Sequence, residues 1–261
     1  MPDMPDSDDS RRPDAGTAWW RDLRAAAALL TVAPADSAGG GTPGQALRAF
    51  PVIGLCLGVA AAVIYALGLF LHFHAPASAV LAIGLMALLT GARHEIGFAS
   101  CLESLASGDR ETRRAIATAG RLGERGILVL VFDVALRIAL VAAFSSMRDA
   151  TAALVASAAA SRAAIPVAMY LLEPTGGAAL GPWSVKPTQE AVWTAGALGV
   201  AFAFLFLGPG GGVLAALLGI AVVAGTVWLL RRLLGGHTPA ALSFVQQAAE
   251  IAVLAAALIV D

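Results

Sequence analysis

The segment Thr90–Gly126, TGARHEIGFASCLESLASGDRETRRAIATAGRLGERG, separates two long apolar runs of the chain. It contains 6 of the 17 basic residues and 5 of the 18 acidic residues. Most of the remaining sequence consists of apolar runs with the length of a membrane span. We therefore expect a membrane bundle that holds this polar segment at the bilayer surface, which is the natural place to look for chemistry.

The composition indicates an integral membrane protein. Of 261 residues, 58% are hydrophobic and only 13% are charged, and the mean hydropathy is +0.78. A soluble domain carries about a quarter charged residues. The predicted fold class is therefore an all-α, polytopic membrane helix bundle. Residues 1–18 are predicted to form a disordered tail and residues 19–261 a single membrane domain, whose two cysteines do not indicate a disulfide framework.

Seven apolar runs reach or approach the length of a membrane span. In chain order they are residues 51–71, 76–92, 127–144, 150–172, 191–207, 212–230 and 247–260. We predict seven spans, with six as the alternative, because the last run is short and two others contain charges. Before them, residues 19–32 are predicted to form an interfacial helix and residues 34–46 a loop rich in Gly and Pro.

Basic residues concentrate in one set of alternating connections. The N-terminal region holds 5, Thr90–Gly126 holds 6, residues 173–190 hold 1 and residues 231–246 hold 2, a total of 14. The opposite connections hold Arg148 alone. Because cytoplasmic connections are enriched in Lys and Arg, we expect the N-terminus and Thr90–Gly126 to be cytoplasmic.

Asp133, Arg137 and Arg162 are charged residues that fall inside the third and fourth predicted spans. Asp133 and Arg137 are four residues apart and share a helical face, which favours a self-neutralising structural pair. Arg162 has no partner at helical spacing. It could neutralise a phosphate at a site or pair with Asp133 across the bundle, and the sequence leaves both open.

Two features of Thr90–Gly126 have a local interpretation. Asp109 is predicted to cap a helix with the sequence DRETRRAIATA and to pair with Arg113, four residues later. Arg121 lies among glycines just before the third predicted span, where its guanidinium and nearby backbone N–H groups could bind a phosphate. Such a pattern is common near membrane edges, so alone it is a weak signal.

A further polar cluster, Gly235-Gly236-His237-Thr238-Pro239, precedes the last run, which contains Gln246, Gln247 and Glu250. Two adjacent glycines permit close approach of a ligand to the backbone. The same residues suit a turn between two spans, and the residues alone do not decide between these interpretations.

Together these clusters resemble the cobalamin synthase family, the adenosylcobinamide-GDP ribazoletransferases, over roughly residues 19–260. Residues 48–54, RAFPVIG, are similar to the family's R-x-F-P-x-x-G. Residues 90–97, TGARHEIG, are similar to T-G-A-L-H-x-D-G, and residues 121–126 to R-x-G-x-x-G. Residues 235–238, GGHT, and Glu250 are similar to G-G-x-T-G-D and a downstream glutamate.

The acidic residues of the family pattern differ in this chain. The pattern H-x-D-G-x-x-D-x-x-D puts three carboxylates on one helical face, where oxygen ligands could hold Mg²⁺. The matching positions here are Ile96, Ser100 and Glu103, and two further family aspartates correspond to Ala119 and Ala240. Glu103 alone keeps a carboxylate in register.

The resemblance implies a reaction and a set of site residues. α-Ribazole, or its phosphate, would attack the activated phosphate of adenosylcobinamide-GDP and release GMP. The implied cofactor is Mg²⁺, with Glu103 as its one remaining ligand. The implied catalytic residues are His94, Glu103 and His237, and the implied phosphate-binding residues are Arg121, Gly123 and Thr238.

The resemblance also implies a setting, and alternatives remain. The expected location is the bacterial inner membrane, with corrinoid and nucleotide substrates, the lipid bilayer as partner and no nucleic acid. The oligomeric state is open, a homo-oligomer included. The main alternative is a catalytically impaired family member that binds a corrinoid or nucleotide or supports a membrane partner. An unrelated small transporter is disfavoured because the charges gather in connections and not at the membrane midplane.

Overall fold

The computed structural model of the protein describes residues 15–34, 43–175 and 177–261. Throughout these ranges the regular elements are helices, apart from one isolated β-bridge between Pro174 and His237. The helices are α1 (Ala15–Leu30), α2 (Pro43–Ala46), α3 (Phe50–Phe70), α4 (Ala75–Thr90), α5 (Arg93–Leu105), α6 (Arg110–Ala119), α7 (Glu124–Ala142), α8 (Met147–Leu171), α9 (Gln189–Leu233) and α10 (Pro239–Ile259), with 3₁₀ turns at Leu47–Ala49 and Gly177–Ser184.

The helical class is confirmed, and the number of spans stays a prediction. Within the described ranges, four helices are long and apolar enough to cross a membrane, or five if the bent pair of α4 and α5 counts as one span. The four are Gly44–Phe70, Met147–Leu171, Gln189–Leu233 and Pro239–Ile259. Helix α4 has only 16 residues, and α7 contains buried Asp133 and Arg137. Neither helix is therefore counted by itself as long and apolar enough to cross a membrane.

The longest helix, α9, folds back on itself. A straight helix of its 45 residues would be about 67 Å long, far beyond a bilayer core of about 30 Å. At Gly208, just before Pro209, the backbone leaves the helical region with φ 69° and ψ −178°. Gly212 then packs against Phe204, and Ala203 and Ala215 share one apolar cluster. The two runs 191–207 and 212–230 are therefore the two arms of a helical hairpin.

Helix α8 is the centre of the bundle and packs against α3, α9 and α10. Its sequence is rich in alanine, and 16 of its 25 residues are buried. On α3, Gly58 comes so close to α8 that an added Cβ would lie 2.7 Å from the Cα of Val155. Small residues let membrane helices approach closely and gain dispersion contacts. Glycine and alanine at this seam therefore fix the position of α3 against α8.

The N-terminal part differs from the sequence prediction in two places. Helix α1 begins at Ala15, inside the predicted tail of residues 1–18, whereas residues 1–14 lie outside the described part. The helix is held by a salt bridge of 2.7 Å between Asp22 and Arg48, while Trp20 stays 63% exposed. The predicted loop 34–46 is wrong at its end, because α2 occupies Pro43–Ala46 with proline at its first turn.

Candidate functional site

A sharp corner between α4 and α5 places the first candidate residues. Thr90 ends α4, and Gly91 and Ala92 both adopt left-handed backbone conformations, with φ of 64° and 52°. The axes of α4 and α5 consequently meet at 87°. Glycine adopts this conformation readily, but for alanine it is uncommon and costly. The corner turns the chain across the bundle and puts His94 on the first turn of α5.

Three stretches that are distant in sequence meet at one cavity of about 290 Å³. Its walls include His94 from α5, Gly120 from the end of α6, and Ala240 from the start of α10. Each wall belongs to one of the polar clusters seen in the sequence. Its lining residues are Leu29, Gly91, Arg93, His94, Ile96, Gly97, Ala117, Thr118, Gly120, Ile165, Trp183, Pro239, Ala240, Leu242 and Ser243.

His94 is a buried imidazole without a protein partner. Its side chain is 6% exposed, and neither ring nitrogen forms a hydrogen bond with any residue that the structure describes. A buried polar group without a partner costs free energy, so such groups are rare in native proteins. Because its side chain also lines the cavity, His94 is a candidate to bind a ligand there.

Glu103 binds the glycine-rich segment that follows α6. One carboxylate oxygen accepts a hydrogen bond of 2.6 Å from the backbone N–H of Gly123, the residue that precedes α7. The carboxylate also fills the space beside Gly123 and Gly126 where side chains would otherwise lie. Both glycines therefore permit the contact. The carboxylate also satisfies one of the free N–H groups at the N-terminus of α7.

Arg121 lies in the glycine-rich segment between α6 and α7. It follows Gly120, which ends α6 in a left-handed conformation and lines the cavity, while Arg121 itself is exposed. Its guanidinium forms no hydrogen bond or ion pair with any of the described residues. It is thus free to meet an anionic ligand near the cavity, although it does not line the cavity itself.

His237 and Thr238 form a buried turn before α10. The N–H of His237 donates to the carbonyl oxygen of Glu173 at 2.9 Å, and its carbonyl oxygen accepts from Thr175 at 3.0 Å. The Thr238 hydroxyl accepts from Ala241 at 3.2 Å and caps α10. Burial lowers the pKa of His237 to about 4, with Glu173 acting in the opposite direction, so the imidazole is neutral at pH 7.

The predicted cap of α6 is confirmed, but the predicted pair beside it is not formed as an ion pair. Asp109 accepts a hydrogen bond of 2.8 Å from the N–H of Thr112, and this bond is the largest cause that lowers the pKa of Asp109. Arg113 instead donates to the carbonyl oxygen of Ser107 at 2.9 Å. The helix thus begins where the sequence predicts.

A buried charge network lies deeper in the bundle, and sequence reasoning did not find it as a unit. Arg137 binds Glu250 at 2.6 Å and Glu95 at 2.9 Å, while its predicted partner Asp133 is 3.9 Å away. Arg162 pairs with Glu250 and not with Asp133. Arg162 and Glu250 are the single charges of the apolar stretches around them, which was the available signal, but the pairing of the network depends on tertiary contacts.

The Mg²⁺ donor set that the resemblance implies is not assembled. In the part of the chain that the structure describes, no group of three or more His, Cys, Asp or Glu side chains could hold a metal ion. Ile96 and Ala240 contribute apolar groups to the cavity, and the carboxylates of Glu95 and Glu103 are committed to Arg137 and Gly123. The residues present therefore do not fit this ion.

A second cavity, of about 250 Å³, lies between α8, the α9 hairpin and α10. Its walls are alanine, glycine, valine, leucine and isoleucine, among them Ala163, Gly199 and Gly219. It offers no side-chain group for acid–base chemistry or for binding a phosphate. Of these two cavities, the one beside His94 is therefore the one with side chains suited to chemistry.

Comparison with known proteins gives a consistent result. The model of a family described as cobalamin-5-phosphate synthase matches residues 22–258. The adenosylcobinamide-GDP ribazoletransferase of Bradyrhizobium diazoefficiens is 34% identical over 89% of this chain and 91% of its own. The protein of the same name from Allorhizobium ampelinum is 36% identical over 80% of this chain and 83% of its own. That from Rhizobium meliloti is 32% identical over 91% of this chain and 95% of its own. No solved structure matches.

Proposed function

Because the chain belongs to the cobalamin-5-phosphate synthase family, we propose that it transfers α-ribazole, or its phosphate, onto adenosylcobinamide-GDP. An oxygen of the ribazole substrate forms a bond to the phosphorus that carries the cobinamide. The bond from that phosphorus to the bridging oxygen breaks, and GMP leaves with the electron pair. The proton of an attacking hydroxyl passes to a base at the site. This step closes the nucleotide loop of the corrinoid.

The observation that carries the proposal is the meeting of three polar stretches at one cavity. Residues 91–97 and 117–120 come from the Thr90–Gly126 segment, residues 239–243 come from the distant helix α10, and all three ranges line the same space. A reaction between two bulky substrates depends mainly on holding the reacting atoms in place. A shared cavity at the end of the bundle supports that requirement.

The residues at the site suit different parts of the reaction. Arg121 would bind phosphate oxygens, since its guanidinium is exposed beside Gly120. His94 lines the cavity and is the candidate to receive the proton, whereas His237 is buried in the turn before α10 and does not line the cavity. The Thr238 hydroxyl caps α10 and is buried outside the lining of the cavity, so its role is to fix the start of that helix. Glu103 holds Gly123 in position.

We place the site on the cytoplasmic side of the bacterial inner membrane. The support is the 14 to 1 distribution of basic residues between the two sets of connections of a seven-span arrangement. Helices α5 and α6 and the turn before α10 all belong to the basic side in that arrangement.

A second candidate function is supported by the substituted acids. A family member with Ile96, Ser100, Ala119 and Ala240 at the acidic positions, and with Glu103 bound to Gly123, would bind its ligands without efficient turnover. Such a chain would retain a corrinoid or nucleotide, or support a membrane partner.

One assay separates these functions. Full-length protein in lipid nanodiscs is given adenosylcobinamide-GDP and α-ribazole, with Mg²⁺ in excess over the nucleotide substrate or with a chelator, and GMP release is followed (about 1 μM to 1 mM substrate, the usual KM range). Release above the protein-free rate supports the transferase. Because the residues do not fit Mg²⁺, we expect the rate in chelator to stay within about threefold of the rate with Mg²⁺. A threefold change in rate corresponds to a smaller free energy than the contribution of a typical hydrogen bond.

The substituted positions provide the complementary variant. Ile96→Asp, Ser100→Asp, Ala119→Asp and Ala240→Asp are introduced together. If the native chain releases no GMP and this variant does so only with Mg²⁺, the chain is a lapsed enzyme and the transferase proposal is wrong. If neither protein releases GMP, equilibrium binding of adenosylcobinamide-GDP decides whether the binding function stands.

A further inference from the structure

The cavity beside His94 is lined mostly by apolar side chains. Trp183, Ile165 and Leu242 are among its walls, and the small residues Gly97 and Ala117 leave its interior open. Across the described residues that line it there is no carboxylate. Such a space suits an uncharged, flat molecule, and it suits neither a metal ion nor a pyrophosphate.

The polar groups of the cavity are mostly engaged with the protein itself. The Arg93 guanidinium donates to the carbonyl oxygens of Thr31 at 3.1 Å and Leu29 at 3.5 Å. The Ser243 hydroxyl donates to the carbonyl oxygen of Pro239 at 3.1 Å. His94, in contrast, is buried with both ring nitrogens unpartnered among the described residues. Its imidazole is therefore the polar group best placed to bind a ligand.

We propose that this cavity binds the heterocyclic base of the ribazole substrate, and that His94 donates a hydrogen bond to the acceptor nitrogen of that base. The inference rests on the proposed function and assigns one substrate fragment to one place. A benzimidazole is flat, largely apolar and uncharged, with a single acceptor nitrogen once its other nitrogen carries the ribose. A neutral imidazole provides the matching N–H donor.

The other fragments of the two substrates fit less well. The guanine edge presents N–H donors that need acceptors such as a carboxylate, and the described lining has none. A volume of about 290 Å³ is at the lower limit for small-molecule sites, so the corrin ring is too large. The phosphate groups belong outside, towards the exposed Arg121.

The test measures binding of α-ribazole alone to the full-length protein in nanodiscs by calorimetry, without the second substrate. Ala240→Leu adds three carbon atoms to the cavity wall, and Ala248→Leu adds the same atoms to the same helix outside the cavity. His94→Phe keeps a flat ring and removes both nitrogens. Guanosine serves as the comparison ligand.

We expect Ala240→Leu to raise the Kd of α-ribazole at least on the order of tenfold and His94→Phe to raise it about threefold to tenfold, the loss of one hydrogen bond. Ala248→Leu should change it less than twofold, and guanosine should bind at least about tenfold more weakly than α-ribazole. Unchanged affinity in both cavity variants overturns the inference, as does guanosine binding equal to that of α-ribazole.

The outcome is independent of the transferase assay. Ribazole binding that is sensitive to Ala240→Leu, in a protein that releases no GMP, supports the base site and refutes the reaction. If the native protein releases GMP but Ala240→Leu and His94→Phe leave the affinity for α-ribazole unchanged, the reaction is supported and the base site is refuted.

Discussion

His94 and Glu95 are neighbours on the first turn of α5, yet they lie in two different kinds of site. Glu95 points into the bundle and forms an ion pair of 2.9 Å with Arg137, which is also bound to Glu250. His94 lines the cavity with neither nitrogen bonded to a described residue. The comparison teaches that Glu95 serves to hold the helices together, whereas His94 is left without a partner and can serve a ligand.

The charge network connects four helices at one level of the bundle. Glu95 comes from α5, Arg137 from α7, Arg162 from α8 and Glu250 from α10. The amide N–H₂ of Gln246 adds a hydrogen bond of 2.7 Å to Glu250. Isolated charges in a membrane interior are costly, so each of these groups depends on the others. The network fixes α5 against α10, and both helices contribute residues to the walls of the cavity.

The largest effect is expected from removing the central cation of the network. Arg137→Met leaves Glu95 without its guanidinium and Glu250 with that of Arg162 alone, and breaking a buried pair in this way costs about 3–5 kcal/mol. The free energy of unfolding, or the unfolding temperature in nanodiscs, measures the loss. Arg125→Met, at an exposed position, should change stability by less than about 0.5 kcal/mol. Equal stability of the two variants would show that the network does not hold the bundle.

A pH effect is expected at His237. Its pKa is about 4 in the folded protein against 6.5 ordinarily, so between pH 6.5 and 4 the unfolded chain takes up a proton that the folded chain does not. Stability should therefore fall as the pH falls through this window, by about 1–3 kcal/mol for this group. Unfolding temperatures of wild type and His237→Gln at pH 7.5 and 5.0 give the difference.

His74→Gln makes the same change at an exposed histidine. If wild type and His237→Gln lose the same stability between the two pH values, the imidazole of His237 is not the group responsible.

An intermediate effect is expected on ligand binding at Arg121. Arg121→Met removes an exposed guanidinium, so stability should be unchanged, but the Kd of adenosylcobinamide-GDP should rise about tenfold, equal to about 1.4 kcal/mol. The matched change Arg148→Met lies in the opposite connection. Titration of both variants with the nucleotide substrate checks this, and a rise of similar size in Arg148→Met would remove Arg121 from the site.

The smallest effect is expected at Glu103. Glu103→Gln weakens the hydrogen bond to Gly123 and should lower the free energy of unfolding by about 1 kcal/mol. Mg²⁺ should not change the unfolding temperature of either protein, because the carboxylate is already used. A rise in the unfolding temperature with Mg²⁺, seen in wild type and absent in Glu103→Gln, would instead identify Glu103 as a metal ligand.

Local features of the fold follow from the sequence. Long apolar runs predict the helices of the bundle, Asp109 predicts the start of α6, and the gap between the runs 191–207 and 212–230 coincides with the reversal at Gly208. In each case the signal lies within a few residues of the structure it predicts. The Asp133–Arg137 pair follows from helical spacing, but it is the longest of Arg137's three ion pairs.

The partners of buried charges do not follow from the sequence. Arg137 and Glu250 are 113 residues apart, and Arg162 and Glu250 are 88 apart, so no periodicity relates them. The left-handed backbone at Ala92, which makes the sharp corner after α4, is also not indicated by its residue type. The cavity itself depends on that corner, and its position could be inferred only from the resemblance between motifs.

The most direct test of the account is the rate of GMP release from adenosylcobinamide-GDP and α-ribazole by wild type, Ala240→Leu and Ala248→Leu. The account predicts release by wild type, a loss of at least about tenfold in kcat/KM for Ala240→Leu, equal to about 1.4 kcal/mol, and a change below twofold for Ala248→Leu. Equal rates for all three proteins, or no release by wild type under any condition, would contradict it.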